Sequence, residues 1–438
     1  MHKSKLTEIL KYIFWLTLIL RFIFPFFFNP MDNLYGDSLY HWESGKNLLN
    51  PKVIDGIDPK LFQLYTAILF LISQENYYIV AFVTGLLCAS MPFFWYKAIR
   101  EISSRNISLI AAIIISLCPT LLFIYGYFMN ETILLNMMAI ASWMTLRALR
   151  KKDNKSFIYA VLFLILASLS RSIAIPLMLA GILFLLYKSE EKLKKSFFVV
   201  IIMISLLIPA GIHSYKAINI FAPFGYHGLI EIYRKSGSLG LSCKTEKDNY
   251  LMMGNAIPGK QPLEPLYTYN SPRSKDFYQW SINTENGRKD WEKTLKSIDY
   301  GLDNYLLDTK ENILFFLFGY SWPETSVPSW KLRDVATNPA IYPNILNGYL
   351  ENYRWLWSIY IIIMFVGIFI VSNKTYKIFI LGTFVYIAAL ILQDTALVTG
   401  RFRKPLEPFI IISMIFTLHK IITIFSNTKS TENSEKMD

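Results

Sequence analysis

The chain has 438 residues, 53% of them apolar and only 17% charged, against about 45–50% and roughly 25% in soluble domains. With 32 Phe, 27 Tyr and a mean hydropathy of +0.34, it cannot clothe a soluble surface of this size, and the aromatics exclude a disordered chain. Three cysteines, two of them (Cys88 and Cys118) inside apolar runs, exclude a disulfide framework.

A helix needs about 20 mostly apolar residues to cross the hydrocarbon core. Ten runs qualify, near 10–29, 77–97, 107–126, 131–148, 156–170, 172–188, 196–215, 353–372, 375–393 and 405–425. The first follows Lys3, Lys5 and Lys11. It reads as an uncleaved span, because Arg21 interrupts it and no small-residue cleavage site follows. An eleventh run, Leu61 to Ser73, is too short to cross and reads as a helix lying at the interface or dipping in. The pattern predicts an all-α polytopic membrane protein of about ten transmembrane helices.

Basic residues collect on the cytoplasmic side of short loops. With both termini inside and ten crossings, the inner segments hold 20 basic and 8 acidic residues, and the rest of the chain balances at 24 of each. The whole formal charge of +12 then sits on the inner face, so it reflects topology and not nucleic-acid binding. The organisation predicted is an N-terminal transmembrane module (1–215) with a first external loop (30–76), a small external α or α+β loop domain (216–352), a C-terminal transmembrane module (353–425) and a disordered inner tail (426–438). The long loop carries 15 basic and 15 acidic residues and many aromatics, including Tyr267, Trp280, Trp291, Trp322 and Trp330. These suit sugar rings, and equally a small domain core or a membrane belt.

Ionisable groups near membrane depth are costly, which makes each a functional candidate. Asp37 follows the first span and would cap a helix running to about Leu49, with Tyr40 and His41 one turn on. Glu131 lies in the short turn between the third and fourth spans, and Arg171 between the fifth and sixth. The stretch Gly400-Arg-Phe-Arg-Lys-Pro-Leu-Glu-Pro408 sets Arg401, Arg403 and Lys404 in an outer loop, where cations run against the charge rule and call for an anionic partner such as a lipid-linked phosphate. Plain capping for the acids, and phospholipid contact for the cations, are the competing readings. Arg21 carries no assigned role. Walker loops, dinucleotide fingerprints, His-Glu-x-x-His and paired cysteines are absent from the sequence.

These pieces together resemble the GT-C superfamily of membrane glycosyltransferases, in its protein mannosyltransferase-like and aminoarabinose-transferase-like group. The matching pieces are Asp37-Ser-Leu-Tyr40, Asp58-Pro-Lys-Leu61 with the run to Ser73, Glu131, Leu169-Ser-Arg-Ser172, Gly254-Asn-Ala-Ile-Pro258 and, most specifically, Arg401-Phe-Arg-Lys-Pro-Leu-Glu-Pro408. Many members carry Asp-Glu where this chain has Asp37-Ser38, and His-Pro-Pro where it has Asp58-Pro-Lys. The resemblance implies a GT-C-like bundle that transfers sugar from a polyprenyl-phosphate donor to a lipid, glycan or protein acceptor at the outer face of the membrane, in cell-envelope, lipopolysaccharide or surface-glycan synthesis, and the lack of outer cysteine pairs and organelle signals in the sequence suggests a bacterial inner membrane. It implies Asp37 as base with Glu131 as a second acid, Arg171, Arg401 and Arg403 on the donor phosphate, and Tyr40 and His41 near acceptor or sugar. A divalent metal stays open, since Asp37, Glu131 and His41 could hold one or act without it. The alternatives are a polyprenyl-linked glycan or lipid flippase, a glycan polymerase or ligase, and a catalytically silent partner.

Overall fold

The computed structural model describes residues 2–34, 36–48, 59–218, 221–225, 313, 344–393 and 400–435. Among these, every regular element is a helix: α1 His2–Phe27, α2 Gly36–Leu48, α3 Lys60–Ser73, α4 Tyr77–Arg100, α5 Arg105–Leu117, α6 Pro119–Phe123, α7 Asn130–Lys151, α8 Asn154–Ser170, α9 Ile175–Tyr187, α10 Lys192–Ile218, α11 Asn344–Ile370, α12 Lys374–Gln393 and α13 Glu407–Glu435. The protein is an all-α polytopic membrane protein. Helix covers each of the ten runs read from the sequence. Among the described residues six helices (α1, α4, α7, α10, α12 and α13) are long and apolar enough to span, and α5 with α6 makes a seventh if that bent pair is one span. The runs at α8, α9 and the described part of α11 are shorter, as is α3, the helix placed at the interface.

Side-chain caps start several helices. Asn76 accepts from the amides of Tyr78 and Ile79 at 3.0 and 3.2 Å, and Asp153 from that of Ser156 at 2.6 Å. Such caps satisfy amides that have no partner within the helix. Lys97 and Arg100 close α4, and Arg150 and Lys151 close α7, where cations meet the negative helix end. The break between α5 and α6 has a local cause. Pro119 has no amide to give Ile115, whose carbonyl instead takes the Cys118 amide at 3.4 Å, and the chain bends by 64°.

Helix α7 packs between α4 and α8, α1 lies against α4 and α5, α2 against α3, and α11 and α12 against α13. Lipid gives helices no hydrophobic reason to associate, so close packing does the work. At Gly85 the backbone of α1 comes so near that a Cβ would collide with the Phe22 carbonyl. A core of aromatic and aliphatic residues, Trp95, Met138, Phe409 and Phe416 among them, joins α4 and α7 to α13. Helix α13 runs on to Glu435, into the polar segment that begins at Ser426.

Candidate active site

Four helix ends meet at a buried cluster of charge. Glu131 is the second residue of α7, where the helix dipole favours an acid, and it is fully buried. Arg171 ends α8, and its Nη1 pairs with Oε1 of Glu131. The turn after Arg171 is held from α12, since the Tyr386 hydroxyl donates to the Ile173 carbonyl at 3.0 Å. On the other side, Glu407 opens α13. Arg403 Nε lies 3.3 Å from Glu407 Oε1, one helical turn apart, with the guanidinium carbon 5.0 Å from the centre of the Trp357 ring. Thr120, just past the α5–α6 break, donates its hydroxyl to Glu407 Oε2 and accepts Lys404 Nζ on its carbonyl at 2.9 Å. Lys404 feels the charges of both Glu407 and Glu131, which joins the two halves.

Among the described residues, Arg171, Arg403 and Lys404 thus face Glu131 and Glu407. Arg403, Lys404, Glu131 and Glu407 are buried, while the Arg171 side chain keeps 13% of its surface exposed.

Helix α2 is docked onto the chain just ahead of Glu131. The Phe128 amide donates to Ser38 Oγ at 3.0 Å, and Trp42 stacks on the Phe128 ring with centroids 4.5 Å apart. Asn33, before α2, donates to the Gly126 carbonyl at 2.9 Å. These contacts bring the first turn of α2, which carries Asp37, against the segment leading into Glu131. The helix starts at Gly36, so Asp37 lies in its first turn and not ahead of it as a cap.

The structure therefore brings together Glu131, Arg171 and Arg403. His41 is buried at the α2–α3 contact, with its ring edge-on to Phe62, centroids 5.3 Å apart. The side chains of Asp37, Tyr40 and Arg401 lie outside the described residues, as do Gly254–Pro258 and the aromatic residues named in the long loop. Sequence reading passed over Glu407, Thr120 and Trp357. Glu407 had a signal in its place four residues after Arg403, whereas Thr120 and Trp357 reach the cluster only through the fold. Among the described residues no three His, Cys, Asp or Glu side chains gather as a metal site would require.

Residues 58–213 match the family model of dolichyl-phosphate-mannose-protein mannosyltransferase. The match supports a membrane glycosyltransferase of the GT-C type. It bears out the GT-C resemblance, and it spans α3 to α10, including Glu131 and Arg171; Asp37–Tyr40, Gly254–Pro258 and Arg401–Pro408 lie outside the matched residues. No curated protein and no solved structure matches the chain.

Proposed function

We propose that this GT-C-type protein transfers a sugar from a polyprenyl-phosphate donor to a lipid, glycan or protein acceptor at the outer face of a bacterial inner membrane. The observation that carries the reading is the buried cluster of Arg171, Arg403 and Lys404 with Glu131 and Glu407, set beside the helix that bears Asp37. Asp37 takes the acceptor proton as the hydroxyl attacks the anomeric carbon. The bond from that carbon to the phosphate oxygen breaks, and cations hold the charge that builds on the departing phosphate. Arg171, oriented by Glu131, and Arg401 contact the phosphate, and Tyr40 serves the acceptor side. Arg403 is enclosed, so its part is to add positive field from behind and to hold Glu407. A single displacement inverts the anomeric configuration.

The test uses the full chain in nanodiscs with a panel of polyprenyl-phosphate sugars and candidate acceptors, read by mass spectrometry. Wild type is expected to release polyprenyl phosphate from at least one donor, and Asp37→Asn to release none while expressing and folding normally. Turnover retained in Asp37→Asn removes Asp37 as base. A donor that wild type binds or moves across the bilayer without cleaving it favours a carrier.

A further inference from the structure

Arg21 stands alone as a cation near the middle of the apolar stretch of α1, and it is buried. Its guanidinium is spent on three backbone carbonyls from three other helices: Nε to Cys88 at 2.7 Å, one terminal nitrogen to Ser116 at 2.9 Å and the other to Leu121 at 2.6 Å. The acceptors are not arbitrary. Pro92 lies four residues after Cys88 in α4 and has no amide to give its carbonyl. Ser116 belongs to the last turn of α5, whose carbonyls lack a helical donor. Leu121 lies in α6, which passes into 3-10 helix at Ile124. The fork is also 5.5 Å from the centre of the Tyr125 ring, so the charge rests on carbonyl dipoles and an aromatic face. Arginine fits this job because its donors are planar and splayed, whereas a lysine ammonium is a single point.

The Leu121 carbonyl held by Arg21 is next in the chain to the Thr120 carbonyl that holds Lys404, and the Thr120 hydroxyl holds Glu407. We propose that Arg21 is a positioning residue for the charged cluster: it pins the α5–α6 break so that Thr120 presents carbonyl and hydroxyl to Lys404 and Glu407. A side chain on the first span thereby sets the placement of cations on the last. The consequence for turnover rests on the function proposed above, while the consequence for the break does not.

Cys118 sits at the break, buried, with its sulfur 3.0 Å from the Thr120 hydroxyl, and reports on it directly. In full-length protein carrying Cys88→Ala and Cys243→Ser, Cys118 is the remaining thiol, and its rate of reaction with N-ethylmaleimide in nanodiscs reads the opening of the break. Arg21→Gln is expected to raise that rate about tenfold or more by lowering the cost of local opening, and Arg21→Lys by less. Adding Pro92→Ala to Arg21→Gln returns a helical donor to the Cys88 carbonyl and restores part of the protection. An unchanged rate in folded Arg21→Gln overturns the proposal; if that variant fails to fold, an unchanged rate in Arg21→Lys does the same. In protein with its native cysteines, Arg21→Gln should lower kcat for donor cleavage about tenfold with little change in donor KM, since cations placed for the departing phosphate act in the transition state, and Arg21→Lys should recover part of the loss. A raised KM with normal kcat overturns the link to the cluster. Should wild type cleave no donor, the proposed function fails, and the labelling rates still decide whether Arg21 pins the break.

Discussion

At the scale of single residues, a carboxylate as deeply buried as Glu131 is tolerable because Arg171 meets it and Lys404 adds positive field. Glu131→Gln leaves three cations against one carboxylate, and a loss of about 3–5 kcal/mol is expected, as when one partner of a buried pair is removed. Thermal unfolding in detergent or nanodiscs measures it, and Glu131→Gln combined with Arg171→Gln should recover part of the stability. Asp153 shows related chemistry at a half-buried site. The Ser156 amide bonded to its carboxylate, the Ser156 hydroxyl and the Arg147 and Lys151 charges hold its pKa below the ordinary aspartate value. A lowered folded-state pKa means that this stability is present above the unfolded pKa and is lost as pH falls through the folded one. The cap is worth about 1 kcal/mol at neutral pH, so Asp153→Ala should be less stable than wild type by that much near pH 7, and the difference, read by thermal unfolding, should shrink toward zero as the pH falls below the ordinary aspartate range.

At the scale of elements, α2 has little apolar surface of its own and depends on what it docks against. Trp42 on Phe128, and Ser38 on the Phe128 amide, are what fix it near Glu131. Trp42→Ala should cost about 3–5 kcal/mol in the stability of this region, as for other buried aromatics. The measurable result is faster hydrogen exchange confined to α2 and α3, together with lower turnover under the proposed mechanism, in which Asp37 rides on α2. Much of the element pattern was legible beforehand. Ten apolar runs bounded by charge became helices because apolar length is what the bilayer selects. The bend between α5 and α6 falls inside the apolar run 107–126, and Pro119 alone does not say whether neighbouring groups will take up the freed carbonyls.

At the scale of the whole molecule, the distribution of charge and the bent pair together decide which side faces which compartment. If α4, the α5–α6 pair and α7 each cross, Glu75 and Lys152 lie on opposite faces. Glu75→Cys, in a background with Cys88→Ala, Cys118→Ala and Cys243→Ser, should then react with an impermeant thiol reagent in intact cells, and Lys152→Cys only after permeabilisation. Labelling of both from one side would mean that the bent pair dips in and returns. The reverse pattern would invert the topology and place the charged cluster at the inner face.

Composition and the spacing of apolar runs by themselves determined that the chain is helical and membrane-embedded, because backbone groups in lipid must be satisfied within the helix that carries them. The motif around Arg401–Pro408 and the acids Asp37 and Glu131 were also visible, as polar groups where polarity is expensive. What only the tertiary structure decided is which of these groups meet. Glu131 pairs with Arg171 across 40 residues, Thr120 reaches Glu407 across 287, and Arg21 gathers carbonyls 67 to 100 residues away. Such contacts depend on how helix ends are stacked and where a helix is broken, and no local period in the chain records either.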